Sequence, residues 1–582
     1  MRAAQQAGCI AAIIYSDPAE DGNVTEANGY KAYPDGPARN PSSVQRGSVM
    51  ALSVLAGDPS TPGAPSYKNA TRLEPEEADS LAQIPSIPLS YAEAKVLFEA
   101  LKGNGFGPDA KGLGKHWAGA IPGVEYWTGP SKDVVNLESF QDLQVRKIWN
   151  GYAIIPGWID DEAVLIGNHR DAWTFGAVDP NSGTAAFHEI VAGLGSLVKR
   201  GWRPLRTIIV ASWDAEEYGL VGSTEFGEDF ADWLQENVAI YHNLDVSVAG
   251  PELQVGASPS LFDLFRRTVA ELPQPDSPTN NLTIGESSAL GSGSDFTVFL
   301  QYLGIASSSV GFGATGDSPV YHYHSNFDSF SWMEKYGDPS FERHVSIAHL
   351  LGLVTLRSAS DLFLPINITA YALELQTYLD EATDIVVKSG AVDFHPLQKA
   401  VKKVQHAARK WEHDKHKAQR KLERLLSRHG RDEDDDDDED DDDEDEEALR
   451  RLIVKGLRHR PRKESKKLGS SRAAPARAHT NIDQRKMKHI YLALRSVNKR
   501  AQAFERGFIS SDGLPGRTWY KHLGVAPGRW LGYGATTFPG LVEALKLDAG
   551  KGAKKEAERL EKHLLKIAEG LAGKHDEDED EE

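Results

Sequence analysis

Apolar and polar positions along the chain fall into three regimes. Between residues 144 and 362, short continuous apolar runs alternate with stretches of helical period. Residues 163–166, 206–213, 239–245 and 302–310 read as strands, because apolar runs of this length suit strands covered on both faces. Residues 184–198, 220–234 and 258–272 read as helices, the first capped by Asn181 or Ser182 and ended before Gly201. This rhythm predicts an α/β domain with a mostly parallel or mixed sheet and helices on both faces. Residues 1–143 read differently. Residues 1–6 begin a helix, 10–15 form a buried strand stopped by Ser16-Asp17-Pro18, and 17–65 are dense in Gly, Pro and Asn and so mostly surface loop. Residues 91–102 have helical spacing. Residues 363–582 turn helical and charged. One helix beginning near Arg485 places Ile490, Leu492, Leu494 and Val497 mostly on one side. A last helix repeats Ala557, Leu560, Leu564, Ile567, Ala568 and Leu571 at three- and four-residue steps, a stripe suited to core or dimer packing.

Length and charge refine this picture. A chain of 582 residues is too long for one core and implies two or three domains. Its net charge of −20 is concentrated in two acidic runs, residues 432–447 and 576–582, without which the remainder is close to neutral. The acidity therefore says little about the partners of the folded part, and no nucleic-acid partner is expected. From about residue 420 to 477 the acidic run and a following basic segment, 450–467, read as a disordered insert, since such a composition buries too little apolar surface to offset ordering. A binding tail for a basic partner or Ca²⁺ is the functional alternative. Cys9 is alone, which excludes an internal disulfide framework. No apolar run reaches the length of a membrane span. Four Asn-x-Ser/Thr sequons, at Asn23, Asn69, Asn281 and Asn367, raise the prospect of a secretory route.

Candidate chemistry gathers at the expected carboxyl ends of strands, where open α/β sheets place their sites. There stand His169-Arg170-Asp171, Glu216-Glu217 and Asp245, with Asp179 in a loop between them. Histidine and carboxylate are zinc ligands, and a pair of ions needs a carboxylate whose two oxygens bind one ion each. Asp179 is the candidate bridge. His169 and Asp245 would complete one set, and Glu217 with a late-loop histidine, His322 or His324, the other. Asp171 is placed to hold the His169 tautomer. Glu216 diverges from Glu217 on extended backbone and is left free as a general base. A zincin reading of His188-Glu189 fails, because position 192 is Ala192.

Four segments carry a family resemblance: His169-Arg170-Asp171-Ala172-Trp173, Asp179-Pro180-Asn181-Ser182-Gly183, Ser212-Trp213-Asp214-Ala215-Glu216-Glu217-Tyr218-Gly219 and Tyr323-His324-Ser325. They resemble the glutamate carboxypeptidase II and transferrin receptor-like group of the M28 zinc peptidases. Markers extend from Tyr15-Ser16-Asp17-Pro18 and Val44-Gln45-Arg46-Gly47 to Gly513-Leu514-Pro515 and Phe538-Pro539-Gly540. The resemblance implies a β-rich protease-associated domain (1–143), a zinc peptidase domain (144–362) and a helical dimerisation domain (363–582) that holds the insert and an acidic tail (574–582). It implies two zinc ions, one on His169 and Asp245 and one on Glu217 and His324, bridged by Asp179, with Glu216 as base. Tyr323, Tyr533, Gly293 and Ser294 would line the substrate site. Glu225 and Glu228 match a calcium site, and the partners implied are a peptide substrate and a second copy of the chain. It further implies a membrane-anchored or vacuolar glycoprotein, and that this chain starts inside the protease-associated domain. Departures bear on specificity. Where the family reads acidic side chains, this chain has Trp127, Gly532, Gln254, Ser309 and Gly311, so the expectation is an exopeptidase, carboxypeptidase rather than aminopeptidase, without glutamate specificity. The alternative is a catalytically silent receptor or sorting adaptor; that branch has lost metal ligands, and this chain keeps all five.

Overall fold

The structure is a computed structural model that describes residues 1–114, 117–385, 392–429 and 484–573. Eleven strands place the elements that matter: β1 (Ala12–Tyr15), β2 (Ser86–Leu89), β3 (Gly151–Ile155), β4 (Ile159–His169), β5 (Arg206–Trp213), β6 (Val238–Leu244), β7 (Glu252–Ala257), β8 (Pro273–Gln274), β9 (Ser277–Asn281), β10 (Glu286–Ser288) and β11 (Ala306–Gly313). Seven of them form one mixed sheet in the order β10-β7-β11-β6-β4-β5-β3. β4 lies inside it, parallel to β5 and β6 on either side. Only β3 against β5 and β11 against β7 run antiparallel. Val164, Leu165 and Ile166 of β4 are fully buried, as an unbroken apolar run requires of a strand covered twice.

Alternation along β6 shows what covers each face. Tyr241 stacks on Phe299 of the π-turn Val298–Tyr302 at a ring separation of 4.1 Å. Its neighbour His242 points to the opposite face and meets Ser358 of the helix Glu342–Ser360 at 3.0 Å. The helix Asn181–Lys199 packs beside Glu342–Ser360 on that second face. Its first turn approaches the end of β6 so closely that a Cβ on Gly183 would lie 2.3 Å from the Asp245 carbonyl oxygen. Glycine here lets the helix N-terminus press against the site-bearing loop.

Helices Ile368–Thr383, His395–His429, Gln484–Arg506 and Ala553–Ala572 pack into one C-terminal bundle. Trp411, almost wholly buried, donates its indole N–H to the Val497 carbonyl at 3.0 Å. The bundle is tied to the sheet through a buried ionic cluster. Arg206 bonds Glu162 at 2.8 Å with both side chains inaccessible, and Arg495 from the bundle reaches Glu162 as well as Asp161.

Several expectations need correction. The strand at 10–15 is shorter, pairs only with β2, and is not buried: Ile10 is 89 % exposed. Among the described residues of 1–143 there is little β structure beyond that pair, because glycine and proline remove the extended runs and ladder donors strands need. β3 went unread, and it is an edge strand with Tyr152 and Ile154 exposed. The helix expected from 184 begins at Asn181, with Pro180 preceding it, so neither Asn181 nor Ser182 is its cap. Tyr302 closes a π-turn, and the strand expected from there begins at Ala306. Leu492 faces outward at 52 % exposure while Leu494 and Val497 are buried. Residues 420–429, placed in the insert, continue the helix His395–His429. The acidic run, the basic segment after it and the acidic tail lie outside the described residues.

Candidate metal centre and active site

Six side chains that sequence reasoning assembled from separate parts of the chain converge at the carboxyl edge of the sheet. His169 ends β4, and Glu216 and Glu217 lie in the turn after β5. Asp245 directly follows β6, Asp179 precedes the helix Asn181–Lys199, and His324 stands in the loop after β11. Ligand atoms of His169, Asp179 and Asp245 all lie within 4.8 Å of one another, and so do those of Asp179, Glu217 and His324. The two triads share Asp179. Its Oδ1 is 3.4 Å from His169 Nε2 and its Oδ2 is 3.1 Å from His324 Nε2, so each oxygen serves a different triad.

Both histidines are held the same way. Nδ1 of His169 is 3.1 Å from the Asp171 carbonyl oxygen, and Nδ1 of His324 is 3.0 Å from that of Arg46. A carbonyl only accepts, so Nδ1 carries a proton and donates, which turns Nε2 toward the carboxylates as the atom a metal would take. His169 Nε2 lies 2.9 Å from Asp245, and His324 Nε2 lies 3.1 Å from Glu217. His322 takes no part. It is buried, its Nε2 accepts from the Asn40 N–H at 2.9 Å, and burial lowers its pKa to about 3.

The surrounding bonds differ from expectation in an informative way. The Asp171 carboxylate is directed mainly at backbone, accepting the N–H groups of Glu216 at 3.0 Å and Glu217 at 3.1 Å; it lies 3.7 Å from His169, which is oriented by the carbonyl of the same residue. Glu216 and Glu217 diverge because they sit in a turn entered through Ala215 at φ +57°, not on a strand. Ser294, expected at the substrate, faces inward instead, donating its hydroxyl to Asp245 and accepting from Asn243 at 2.8 Å. Asp328 went unrecognised. It receives the N–H groups of Val178 at 2.7 Å and Asp179 at 3.2 Å and so fixes the bridging carboxylate. Arg46 was quoted only as a marker, yet its backbone clamps His324 in both directions. No side-chain signal announces a carbonyl contact. Asp295 was also missed: it is fully buried, and burial raises its pKa to about 7.

Electrostatics show what this cluster lacks. Burial first, then the neighbouring Asp245 and Glu217 charges, push Asp179 up to about 7. Glu216 is raised well above the carboxylate range by burial, with Asp245, Asp295 and Glu217 adding to it. Burial lowers the pKa of His324, but its bonds to Asp179 and Glu217 outweigh that and raise it to about 9. Five acids and two imidazoles in one buried space need positive charge between them, and oxygen and imidazole donors in two triads suit zinc.

The comparisons agree. Residues 150–345 match the model of peptidase family M28, and residues 462–572 that of the transferrin receptor-like dimerisation domain. A "Probable glutamate carboxypeptidase" of Arthroderma benhamiae is 37 % identical over 98 % of this chain and 71 % of its own length. The chain belongs to peptidase family M28. Aminopeptidase NAALADL1 of Rattus norvegicus is 35 % identical over 69 % of this chain and 57 % of its own. Among solved structures, a zinc aminopeptidase from Bacillus subtilis covers 36 % of this chain and 50 % of its own at 20 % identity and a TM-score of 0.30, too loose a likeness to carry an argument. M28 members are zinc metallopeptidases, and this M28 chain carries a dimerisation domain of the receptor type.

The remaining substrate candidates border the same space. Tyr323 stacks on His324 at 3.6 Å, and Tyr533 stands beside Tyr323. A Cβ on Gly293, at φ +96°, would lie 2.5 Å from the Tyr533 ring, so this position needs glycine for two reasons. Gln254 and Gly311 are paired directly across β7 and β11, with Ser309 two residues away, and none of the three carries positive charge. Elsewhere, Glu225 accepts the N–H groups of Asp58 at 2.9 Å and Ser66 at 2.6 Å. Glu228 accepts from Trp519 at 2.7 Å with one oxygen, while its other oxygen is buried without a partner. Burial raises the two to about 7 and about 8. Among the described residues no helix is long and apolar enough to cross a membrane.

Proposed function

We propose that this M28 chain is a co-catalytic di-zinc exopeptidase that cleaves short peptides, acting as a carboxypeptidase without a preference for glutamate. The observation that carries the reading is the shared carboxylate of Asp179 between two triads whose histidines both have Nδ1 anchored on a backbone carbonyl. His169 and Asp245 would hold one zinc, Glu217 and His324 the other, and Asp179 both. When bound, zinc supplies Lewis-acid polarisation of the scissile carbonyl and acidifies water. Glu216 takes the proton from the attacking water and delivers it to the leaving amine nitrogen. Glu216 is buried beside His169, Asp245 and Glu217, where a carboxylate can take up that proton and release it again. Asp171, through the backbone of Glu216 and Glu217, keeps base and ligand apart. Tyr323 and Tyr533 present hydroxyls to the substrate carboxylate or the developing oxyanion.

The uncharged set at Gln254, Ser309 and Gly311 supports loss of acidic specificity, since a substrate carboxylate is read by charge-assisted pairing. A silent receptor would have no need of five intact donors and a free base, which favours the enzyme. The chain would act as a homodimer through its C-terminal helices. Calcium at Glu225 and Glu228 fits their raised pKa values and the unpartnered Glu228 oxygen. A protease-associated role for residues 1–143 and a secretory or vacuolar setting complete the reading. Among the sequons, Asn69 is exposed, whereas the amide of Asn367 donates to Asp263.

Metal analysis of the purified protein should find about two zinc per chain, and none would sink the proposal. Glu216→Gln should keep both ions while losing at least about 100-fold in hydrolysis. A short-peptide library read from both ends decides the polarity: release of C-terminal residues is expected, and release of N-terminal ones alone would make this an aminopeptidase.

A further inference from the structure

A cavity of about 650 Å³ lies away from the metal centre, where the peptidase domain meets the C-terminal bundle. One wall is the helix Ala231–Asn237 with Tyr302 and Leu303; the other is residues 509–512, Lys521 and the helix Ala553–Ala572. Arg559, Lys562, His563 and Lys566 all line it. They occupy i, i+3, i+4 and i+7 of the helix, one continuous stripe. The stripe of Leu560, Leu564, Ile567 and Leu571 is buried in the core. Like charges four residues apart repel, so the cationic stripe costs helix stability unless negative charge meets it.

The lining supplies part of that charge: Asp232 and Asp512 stand against Lys521, Arg559, Lys562 and Lys566, which leaves the cavity net positive. Burial and the neighbouring cations hold His563 neutral, and among the described residues Arg559 is the one of the stripe's three cations with an ion pair, to Glu556 at 3.3 Å. Lys521 sits 3.4 Å from the centre of the Tyr302 ring, which stacks on Trp519. That ring fixes the ammonium at the cavity wall without neutralising it. His563 is anchored through Nδ1 at 3.2 Å from the Gly507 carbonyl. The volume is that of a small-molecule pocket, and the stripe runs about 10 Å along the helix. A triphosphate can bridge that length, while a single carboxylate cannot.

We propose that this cavity binds a polyphosphate group and that the bound anion couples the peptidase domain to the dimerisation helix. Lys562 and Lys566 act as point charges, and Arg559, whose guanidinium is held by Ser510, Glu556 and Gly513, adds its charge from the wall. The test is calorimetric titration of the zinc-loaded full chain with inorganic tripolyphosphate. One saturable site per chain is expected, weakened about tenfold or more by Lys562→Gln/Lys566→Gln and by raising salt from about 50 to about 300 mM. The control Lys554→Gln/Lys555→Gln, on the same helix but outside the cavity lining, should bind within twofold of the parent chain. Both double variants keep the same metal sites, so any zinc withdrawn by the probe cancels between them. Three results would overturn the proposal: no saturable binding up to millimolar probe, equal loss in the two double variants, or citrate binding as tightly as tripolyphosphate.

Discussion

Asp171→Asn isolates the task that the structure gives this carboxylate. The carboxylate accepts the N–H groups of Glu216 at 3.0 Å and Glu217 at 3.1 Å, while the main-chain carbonyl of the same residue orients His169 at 3.1 Å. Asparagine preserves the carbonyl, the size and one accepting oxygen. Its amide, however, turns a donor toward one of the two N–H groups, leaving that group unsatisfied. Hydrogen bonds to charged acceptors contribute about 1.5–3 kcal/mol each, and an orphaned buried donor costs about 1–3 kcal/mol. Keeping one weakened bond offsets part of this, so the net loss is about 2–4 kcal/mol, on the order of 30- to 1,000-fold in an equilibrium constant. Because the strained turn carries Glu217, the loss should register as weaker zinc binding, and polar partners of metal ligands commonly contribute 10- to 100-fold, roughly the lower part of that range. Competition with a chromophoric chelator measures it without knowledge of the substrate. Zinc affinity within about threefold of the parent chain would show that the Glu216-Glu217 turn holds itself, and would refute the reasoning.

Three further outcomes follow from other contacts. Ser294→Ala removes the hydroxyl donor to Asp245 and should weaken zinc about tenfold in the same competition, with urea stability nearly unchanged. Arg206→Met removes the fully buried partner of Glu162 and the donor to the carbonyls of Ser358, Asp361 and Leu362; urea unfolding should show a loss of about 3–5 kcal/mol, and a loss below about 1 kcal/mol would contradict the cluster's role. Zinc-free protein should become less stable as pH rises from about 4 to about 9. Asp179 at about 7 and His324 at about 9 both hold their proton more tightly when folded, so folding is favoured below their unfolded pKa values and that advantage is lost as pH climbs through the folded ones. Depressed Asp171 and Asp245 work the other way, adding stability above about pH 4 that is lost in acid. A zinc-free melting temperature that rises from pH 5 to 8 would contradict this, and zinc should flatten the profile.

What could be read early and what could not divides along physical lines. The sheet was legible because its strands are buried on both faces and so are written as unbroken apolar runs, of which 206–213 matches β5 in full. β3 was not, because Tyr152 and Ile154 lie on an exposed edge and burial imposed no pattern on it. The donors were legible as residue types at strand ends, and family resemblance chose His324 over His322. The structure gives the physical basis for that choice: Nε2 of His322 is taken by the Asn40 N–H, whereas Nε2 of His324 faces Asp179 and Glu217.

By itself, then, the sequence determined the alternation of strand and helix, the chemical inventory of the site and the neutral character of the positions opposite it. These are local properties, set by the period of burial and by which side chains can donate to a metal. Tertiary structure alone decided which oxygen of Asp179 meets which histidine, that Asp328 holds Asp179 and Arg46 holds His324, that the Asp171 carboxylate accepts from the Glu216-Glu217 backbone, and that Ser294 turns to Asp245. Those contacts join residues as far apart as Arg46 and His324, several through backbone groups that every residue shares, and only folding brings such groups within hydrogen-bonding distance.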